Sequence, residues 1–220
     1  MRWIGGEQVP EIKIIPSLIA ETQEELDERI NHIKDAAKWL QMDIMDKKFV
    51  PSSSIEFDFV LPNGVCKFEA HLMLEDPVTW INKHAHKVDT ILVHIESCED
   101  PEAIIEMVKG KGKKMGFALR PETLVSTVEE YLDKIEEVLF MTVEPGFYGA
   151  KFLPETLDKV KELRAIDSKI DIEVDGGISP ETIRLAFDAG ANYFISGSYL
   201  IKSNNPKEAI KSMLKLLPSP

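Results

Sequence analysis

The chain has 220 residues, of which 44% are hydrophobic, and this suits one large domain or two small ones with a sizeable apolar core. Its formal net charge is −12 and its sequence pI is near 4.9. A surface of that sign repels phosphodiester backbones and anionic lipid, so we expect neither a nucleic-acid nor a membrane partner. No apolar run reaches the roughly 18 residues of a membrane span, and the N-terminus lacks a long apolar stretch, so we expect a cytoplasmic protein.

Short apolar strands alternate with amphipathic helical segments along the chain. The period-two pattern predicts strands at Ile12–Leu18, Trp39–Met45, Lys67–Leu74, Thr90–Glu96, Lys114–Leu119, Val138–Val143, Ile170–Asp175 and Asn192–Gly197. The helical pattern predicts helices at Thr22–Lys38, Val78–Lys87, Glu102–Lys109, Leu124–Lys134, Glu155–Ile166, Glu181–Ala189 and Lys207–Leu217.

Several of the predicted helices carry capping signals at their starts. Thr22 and Glu25 form a capping box. Four further capping side chains stand directly before a proline: Asp76, Asp100, Ser179 and Asn205. The longest irregular connection, Lys47–Gly64, is predicted to hold a short helix around Glu56–Val60.

Eight strands that alternate with helices predict an α/β fold, a single (β/α)8 TIM barrel over residues 1–220 with residues 1–11 as an N-terminal extension. An open doubly wound sheet is the alternative. In a barrel each strand buries one face against helices and points the other inward, and active sites lie at the carboxyl ends of the strands.

Polar residues collect on the inward face of several predicted strands. In the second strand, Leu40, Met42 and Ile44 alternate with Gln41, Asp43 and Met45. The same alternation places further polar residues inward or at strand ends: Ser17, Glu69, His71, His94, Glu96, Glu173 and Asp175. Unpaired charges in such an interior cost several kcal/mol, so as a set these groups should serve one another or a ligand. For any single one, a satisfied structural residue is the alternative.

Glycine clusters close the last strands of the pattern. They are D-G-G-I-S-P at residues 175–180 and S-G-S at residues 196–198. Loops after strands 7 and 8 are the recurrent phosphate site of this barrel, although tight turns require glycine as well. A third turn, E-P-G-F-Y-G at residues 144–149, is long enough to act as a lid.

Two aspartates, Asp43 and Asp175, come from strands on different sides of the predicted barrel. Two carboxylates that flank one carbon can take and return a proton from opposite faces, which inverts a stereocentre next to a carbonyl. The enolate oxygen then needs a metal or hydrogen-bond donors. A metal of the zinc or iron type would use His71 together with the two aspartates.

Six motifs in order, I-P-S-L, M-D-x-x-F-V-P, H-L-M, M-T-V-E-P-G-F-x-G, E-V-D-G-G-I and S-G-S, resemble those of the ribulose-phosphate 3-epimerase family over roughly residues 12–200. The resemblance implies a (β/α)8 barrel that interconverts D-ribulose 5-phosphate and D-xylulose 5-phosphate. It implies that Asp43 and Asp175 are the acid/base residues and that they bind a divalent metal (Zn, Fe, Mn or Co) with His71. It also implies a set of substrate-contacting residues: Ser17, His71, Met45, Met73, Met141, Gly146, Phe147, Tyr148, Gly149, Gly176, Gly177, Gly197 and Ser198.

The chain departs from the family pattern at three places. Gln41 stands where the family has a histidine ligand, Lys47 replaces a glycine, and G-F-Y-G-A, with Tyr148 and Ala150, replaces G-F-G-G-Q. An amide binds transition metals far more weakly than an imidazole. One interpretation is a weak three-ligand metal site. A second is a metal-free site in which Lys47 and Gln41 stabilise the enediolate, and a third is an altered substrate.

The leading interpretation is an epimerase acting on C3 of a ketose phosphate, with D-ribulose 5-phosphate as the default small-molecule substrate. The alternatives are an epimerase of another ketose phosphate, such as allulose 6-phosphate, and a catalytically weak paralogue that only binds sugar phosphates. Four buried-strand residues remain undecided between orienting the site and filling the core: Glu69, His94, Glu96 and Glu173. We expect the chain to form a homo-oligomer.

Overall fold

A computed structural model describes residues 2–4, 7–9, 11–146 and 149–218 of the chain. Its main sheet is built from eight strands: β1 (in two pieces, Lys13–Ile15 and Ser17–Leu18), β2 (Trp39–Asp46), β3 (Lys67–Met73), β4 (Thr90–His94), β5 (Lys114–Leu119), β6 (Glu137–Met141), β7 (Asp171–Asp175) and β8 (Tyr193–Ile195). Each of them pairs in parallel with its neighbours.

The sheet closes on itself through β1. Pro16, which has no backbone N–H, divides that strand into two halves. The first half pairs with β8 and the second half pairs with β2, so the order of strands ends where it began. This closure confirms the predicted (β/α)8 barrel and excludes the open doubly wound sheet.

The described residues also form seven α-helices: α1 (Gln23–Ile33), α2 (Pro77–His84), α3 (Pro101–Gly110), α4 (Leu157–Ile166), α5 (Ile183–Ala189), α6 (Ser198–Ile201) and α7 (Pro206–Leu214). Four predicted caps are confirmed, because each side chain accepts the backbone N–H three residues later: Thr22, Asp76, Asp100 and Asn205. The pattern of the sequence did not predict the short α6.

The helix predicted at Leu124–Lys134 is wrong. The structure has two 3-10 turns there, Val125–Thr127 and Glu129–Tyr131. The segment contains the β-branched residues Val125, Thr127 and Val128, whose side chains lose rotamer freedom against the preceding turn of a helix. Local propensity therefore outweighs the apolar spacing that suggested a regular helix.

Two further helix predictions differ from the structure. Ser179 does not cap α5, because its hydroxyl donates to the Glu181 carboxylate and the helix begins only at Ile183. No helix forms at Glu56–Val60. The Gln23 side chain occupies both backbone groups of Val60, accepting its N–H at 2.8 Å and donating to its carbonyl at 3.0 Å.

Residues near the N-terminus form an antiparallel pair, Arg2–Ile4 with Glu7–Val9, in a sheet of its own. The division of the chain into one barrel domain and an extension at 1–11 stays a prediction. A short strand, Ser53–Ser54, pairs antiparallel with the end of β2. Within the described ranges, no helix combines the length and the apolar character needed to cross a membrane.

The core has an outer and an inner layer. The outer layer lies between strands and helices and includes Leu40, Met42 and Ile44, which are at most 1% exposed. The inner layer fills the barrel with residues such as Leu92 and Leu139. At Gly116 a Cβ atom would lie 2.6 Å from a methyl carbon of Leu92, so the packed interior requires glycine there.

Candidate active site

The carboxyl ends of β2, β3 and β7 bring three polar side chains to one point. Asp43 and His71 are register partners on neighbouring strands, and Asp175 is the last residue of β7. His71 Nδ1 lies 3.5 Å from Asp43 Oδ1 and 3.3 Å from Asp175 Oδ2. His71 is fully buried and the two aspartates are each 8% exposed. Three residues that the sequence identified separately therefore form one cluster.

Gln41 joins this cluster through its amide nitrogen. Nε2 donates to Asp43 Oδ1 at 2.8 Å and to Asp175 Oδ2 at 2.7 Å, the same two oxygens that face His71. Because both acceptors are carboxylates, the nitrogen rather than the oxygen of the amide must point toward them. The amide oxygen is buried and has no hydrogen-bond partner among the described residues. Gln41 thus places a donor between two carboxylates that would otherwise repel each other.

The electrostatics of the cluster favour a positive charge between the aspartates. Burial opposes a charged imidazole, but the carboxylates of Asp175 and Asp43, 3.3 and 3.5 Å from Nδ1, raise the pKa of His71 to about 9. Burial and the neighbouring charge of Asp175 raise the pKa of Asp43, while the adjacent His71 and the hydrogen bond from Gln41 act in the opposite direction. At neutral pH and without a metal, His71 therefore carries the compensating charge.

The same three side chains could also hold a divalent metal. One ligand atom from each of Asp43, His71 and Asp175 lies within 4.8 Å of the other two. Ligands at about 2.1 Å from a tetrahedral metal are roughly 3.4 Å apart. The 3.3 and 3.5 Å separations from His71 Nδ1 to the carboxylate oxygens match that geometry. The Gln41 amide nitrogen lies against the same two carboxylate oxygens but has no free lone pair with which to bind a metal.

A cavity of about 560 Å³ opens above the cluster. Asp43 and Asp175 lie on its wall, and so do ten residues that the resemblance assigned to the substrate: Ser17, Met45, Met73, Met141, Gly146, Gly149, Gly176, Gly177, Gly197 and Ser198. Phe147 and Tyr148, the centre of the expected lid, lie outside the described residues. The predicted contacts therefore surround one space, with His71 and Gln41 beneath it.

The glycine turns after β7 and β8 bring bare backbone to this cavity. Gly176 has φ 119°, and a Cβ atom there would lie 2.4 Å from a methyl carbon of Val143. At Gly197 a Cβ atom would lie 2.6 Å from the Ser17 hydroxyl oxygen. In the described part of the chain, the backbone N–H groups of Gly176, Gly177 and Gly197 donate no hydrogen bond. These donors are available to an anionic ligand.

Lys47 is the only basic residue among the described residues that line the cavity. Its φ is 60°, a left-handed conformation that is costly for a residue with a Cβ atom. The turn is held by a hydrogen bond from the Lys47 N–H to the Ser52 carbonyl, 3.1 Å long. The family's glycine at this position is therefore explained by the backbone, and lysine occupies it under strain.

Sequence reasoning left His94 and Glu96 undecided and missed Glu137. His94 Nε2 lies 3.0 Å from His71 Nε2, so His94 belongs to the site. Glu96 was predicted to end a strand, but Ile95–Ser97 forms a 3-10 turn instead. Glu137 is 5% exposed inside the barrel, although a charged residue at the start of a strand usually faces solvent. The only signal in the sequence was the period-two alternation of this strand, which places Glu137 on the same inward face as Leu139.

Comparison with known proteins gives a consistent result over nearly the whole chain. A family model described as the ribulose-phosphate 3 epimerase family matches residues 13–201. A ribulose-phosphate 3-epimerase of Schizosaccharomyces pombe is 36% identical over 209 residues, 91% of this chain and 92% of the relative. The Bacillus subtilis enzyme of that name is 36% identical over 212 residues, 92% of this chain and 98% of the relative. A cytoplasmic isoform from Oryza sativa subsp. japonica is 37% identical over 212 residues, 92% of this chain and 93% of the relative.

Solved structures of lower sequence identity share the fold. A 3-hexulose-6-phosphate synthase aligns with a TM-score of 0.67 at 15% identity, covering 94% of this chain and 100% of that one. A mutant tryptophan synthase alpha-subunit from Pyrococcus furiosus aligns with a TM-score of 0.67 at 17% identity, covering 92% and 97%. At such identities the likeness concerns the barrel alone.

Proposed function

Because the chain belongs to the ribulose-phosphate 3-epimerase family, we propose that it inverts C3 of D-ribulose 5-phosphate to give D-xylulose 5-phosphate. The observation that carries the proposal is the placement of two carboxylates on one cavity wall. Asp43 and Asp175 come from β2 and β7, and both face the same Gln41 nitrogen and the same His71 nitrogen. Such a pair can act on one carbon from two directions.

In the proposed mechanism one aspartate removes the C3 proton and the other returns a proton to the opposite face. Burial and the charge of Asp175 raise the pKa of Asp43, which suits a group that must both accept and donate a proton. His71 and Gln41 stand behind the two carboxylates and hold them in place. Each proton transfer of this kind contributes about 10²–10⁴-fold to the rate.

Removal of the C3 proton leaves an enediolate, whose oxygens need stabilisation. A divalent metal held by Asp43, His71 and Asp175, which we propose to be Zn, Fe, Mn or Co, would act there as a Lewis acid. The Ser17 hydroxyl lines the same cavity and offers a hydrogen bond to the substrate. The thioethers of Met45, Met73 and Met141 are almost fully buried at the cavity and keep water away from the reacting carbon.

We assign the substrate's phosphate to the turns after β7 and β8. The free N–H groups of Gly176, Gly177 and Gly197 support this assignment, since backbone donors can approach an anion closely where no side chain intervenes. Ser198 follows directly and lines the same wall. Gly146 and Gly149 frame the segment that we expect to cover the bound sugar. A cytoplasmic location and a homo-oligomeric state stay predictions.

The test is hydrogen exchange at C3. The purified protein is incubated with D-ribulose 5-phosphate in D₂O, and the recovered sugars are examined by NMR and mass spectrometry. Deuterium at C3 together with D-xylulose 5-phosphate is the expected result, and allulose 6-phosphate is run in parallel. If neither sugar exchanges with any of the four metals added, the two-carboxylate scheme is wrong and a binding function replaces it.

A further inference from the structure

We propose that His94 and Glu96 are positioning residues that decide which ring nitrogen of His71 carries its permanent proton. The inference rests on the proposed function only for its catalytic consequence. The arrangement itself is a property of the barrel interior and is testable without substrate. Neither residue lies on the cavity wall, so both act through His71.

The three side chains form a continuous line away from the two aspartates. His71 Nε2 lies 3.0 Å from His94 Nε2, and His94 Nδ1 lies 3.1 Å from Glu96 Oε2. The two imidazole rings have centroids 5.0 Å apart and planes that differ by 25°, which fits an end-to-end contact through the nitrogens. Both rings are fully buried. No water layer therefore separates the three groups.

The direction of the hydrogen bonds follows from the carboxylate at the outer end. An ionised carboxylate only accepts, so His94 Nδ1 must carry the proton that points at Glu96. The two Nε2 atoms, 3.0 Å apart, can hold only one proton between them, and a metal bound by His71 would take the lone pair of Nδ1, the nitrogen that faces Asp43 and Asp175, so His94 Nε2 supplies the lone pair of this contact. His71 Nε2 must then be the donor. Its proton on Nε2 is permanent, and Nδ1 is the nitrogen that can release a proton or bind a metal.

Glu96 is itself held in one orientation. Its other oxygen, Oε1, accepts the Arg120 backbone N–H at 2.8 Å and the Thr123 hydroxyl. Burial opposes its ionisation, but the hydrogen bonds from His94 and these donors lower the pKa of Glu96 to about 2. The carboxylate is therefore charged at neutral pH, and only Oε2 is left for His94.

The outer end of the line is also anchored to the loop after β2. The Arg120 guanidinium donates to the Phe49 carbonyl at 2.7 Å and lies 4.1 Å from the centre of the Phe49 ring. That ring is 4.8 Å from the ring of His94. His94 is thus confined by Phe49 on one side and by two polar partners, so its ring cannot turn over without breaking several contacts.

Glu96→Gln is the variant that tests the inference, because it reverses the donor and acceptor roles of the hydrogen bonds along the line and changes little else. The Arg120 N–H needs an acceptor, so the amide oxygen stays there and the amide NH₂ group faces His94. His94 Nδ1 then becomes an acceptor and Nε2 becomes a donor. His71 Nε2 must then accept, so the permanent proton of His71 is the one on Nδ1, the nitrogen that faces the aspartates.

The readout is the ¹⁵N NMR signal of the imidazole nitrogens in metal-free protein at pH 7, followed by the zinc dissociation constant. Wild type should show His94 protonated at Nδ1 and not at Nε2, and Glu96→Gln should show the reverse. Loss of such an outer contact typically weakens metal binding about 10–100-fold, and we expect that loss here. The loss should not appear when Glu96→Gln is added to His94→Leu, in which the line is already cut.

Glu136→Gln is the matched control. Glu136 also accepts a backbone N–H, from Met115 at 2.8 Å, but its other contact is the Lys109 ammonium at 3.4 Å rather than a histidine. Glu136→Gln should leave the imidazole signals and the zinc dissociation constant unchanged. The inference is overturned if wild-type His94 is protonated at Nε2, or if Glu96→Gln keeps the wild-type signals. If wild type binds no zinc, the imidazole signals decide alone. Failure of the C3 exchange test would count against the proposed function without altering the imidazole signals.

Discussion

Two groups of buried carboxyls occupy neighbouring levels of the same barrel and differ in their partners. The upper pair, Asp43 and Asp175, faces the cavity, and each member accepts a hydrogen bond from the Gln41 amide and lies beside His71 Nδ1. The lower group lies deeper and consists of Glu69, Glu137 and Glu173, which are at most 5% exposed. Two members of the lower group are only two residues away from His71 and Asp175 along their strands.

The lower group lacks the donors that the upper pair has. One oxygen of Glu69, one of Glu137 and both of Glu173 have no hydrogen-bond partner in the ranges that the structure describes. Burial and the charges of the other carboxyls raise the pKa of Glu69 and Glu173 well above the usual range. Burial raises the pKa of Glu137 to about 7, with the charge of Lys13 acting in the opposite direction. At neutral pH Glu69 and Glu173 are therefore held in the neutral form, and Glu137 is near the midpoint of its titration.

The difference shows that burial alone does not decide how a carboxyl inside this barrel is partnered, because the donors on neighbouring strands do. Asp175 and Glu173 belong to one strand and one face of it, yet only Asp175 has Gln41 and His71 as neighbours within reach. A buried carboxylate persists where hydrogen bonds and an opposite charge offset its lost hydration. The proposed chemistry accordingly uses the upper pair and not the lower group.

The largest expected effect comes from breaking the upper pair. Asp43→Asn and Asp175→Asn should each lower kcat by about 10²–10⁴-fold, because an amide cannot take up the proton. Glu173→Gln is the matched control on the same strand, and we expect it to be tolerated because a neutral carboxyl and an amide are similar in shape. Steady-state rates and circular dichroism of the three variants make the measurement. Near-normal turnover by either asparagine variant would rule out the two-aspartate scheme.

A second effect should follow from changing the donor between the aspartates. Wild type, with an amide nitrogen rather than a ligand beside the two aspartates, should hold metal loosely and contain less than one equivalent after dialysis against chelator. Gln41→His offers a ring nitrogen there and should tighten binding about tenfold or more, since affinity follows the number and type of ligands. Metal content per chain and a zinc titration provide the measurement. A full equivalent in wild type, unchanged in the variant, would contradict this expectation.

The lower group should affect how the unfolding free energy depends on pH. Because the folded-state pKa of Glu137 is raised to about 7, its contribution to stability is fully present below the ordinary carboxyl range and is lost as the pH rises through 7. Between pH 4 and pH 8 the unfolding free energy of wild type should therefore fall by on the order of 1–2 kcal/mol relative to that of Glu137→Gln. Urea unfolding at several pH values measures this difference.

The half-exposed neighbour Glu136, which pairs with Lys109, supplies the control for that series. The Glu136→Gln curve should depart from wild type less than the Glu137→Gln curve does, because the exposed carboxyl loses less hydration on folding. A Glu137→Gln curve that runs parallel to wild type would mean that Glu137 is ionised in the folded protein, and the contrast between the two levels would then be lost.

The smallest effect is expected at Lys47, the basic residue of the cavity wall. Since Gln41 and His71 already supply donors to the upper pair, Lys47→Gly should keep kcat within about threefold of wild type. It should also raise the unfolding free energy by up to about 1 kcal/mol, because glycine adopts a φ of 60° without strain. Steady-state kinetics and thermal unfolding test both statements. A large fall in kcat would assign Lys47 to the stabilisation of the enediolate.

The sequence alone predicted the fold, and it placed three polar side chains at one end of the barrel. Period-two apolar alternation, separated by capped amphipathic helices, predicted eight strands and a closed barrel. In a barrel the carboxyl ends of all strands meet, so Asp43, His71 and Asp175 had to lie at one end. The apolar spacing predicted a helix wrongly where helix propensity is low, in the β-branched turn segment at Val125–Thr127.

Only the tertiary structure decided how the polar groups are partnered. The Gln41 amide reaches a carboxylate 134 residues away, and His94 meets His71 end to end, because barrel closure sets the distances between strands. Spacing along one strand makes Glu173 and Asp175 look alike. Their different hydrogen bonding depends on which donors from other strands come within about 3 Å, and that is a property of the closed barrel and not of any single strand.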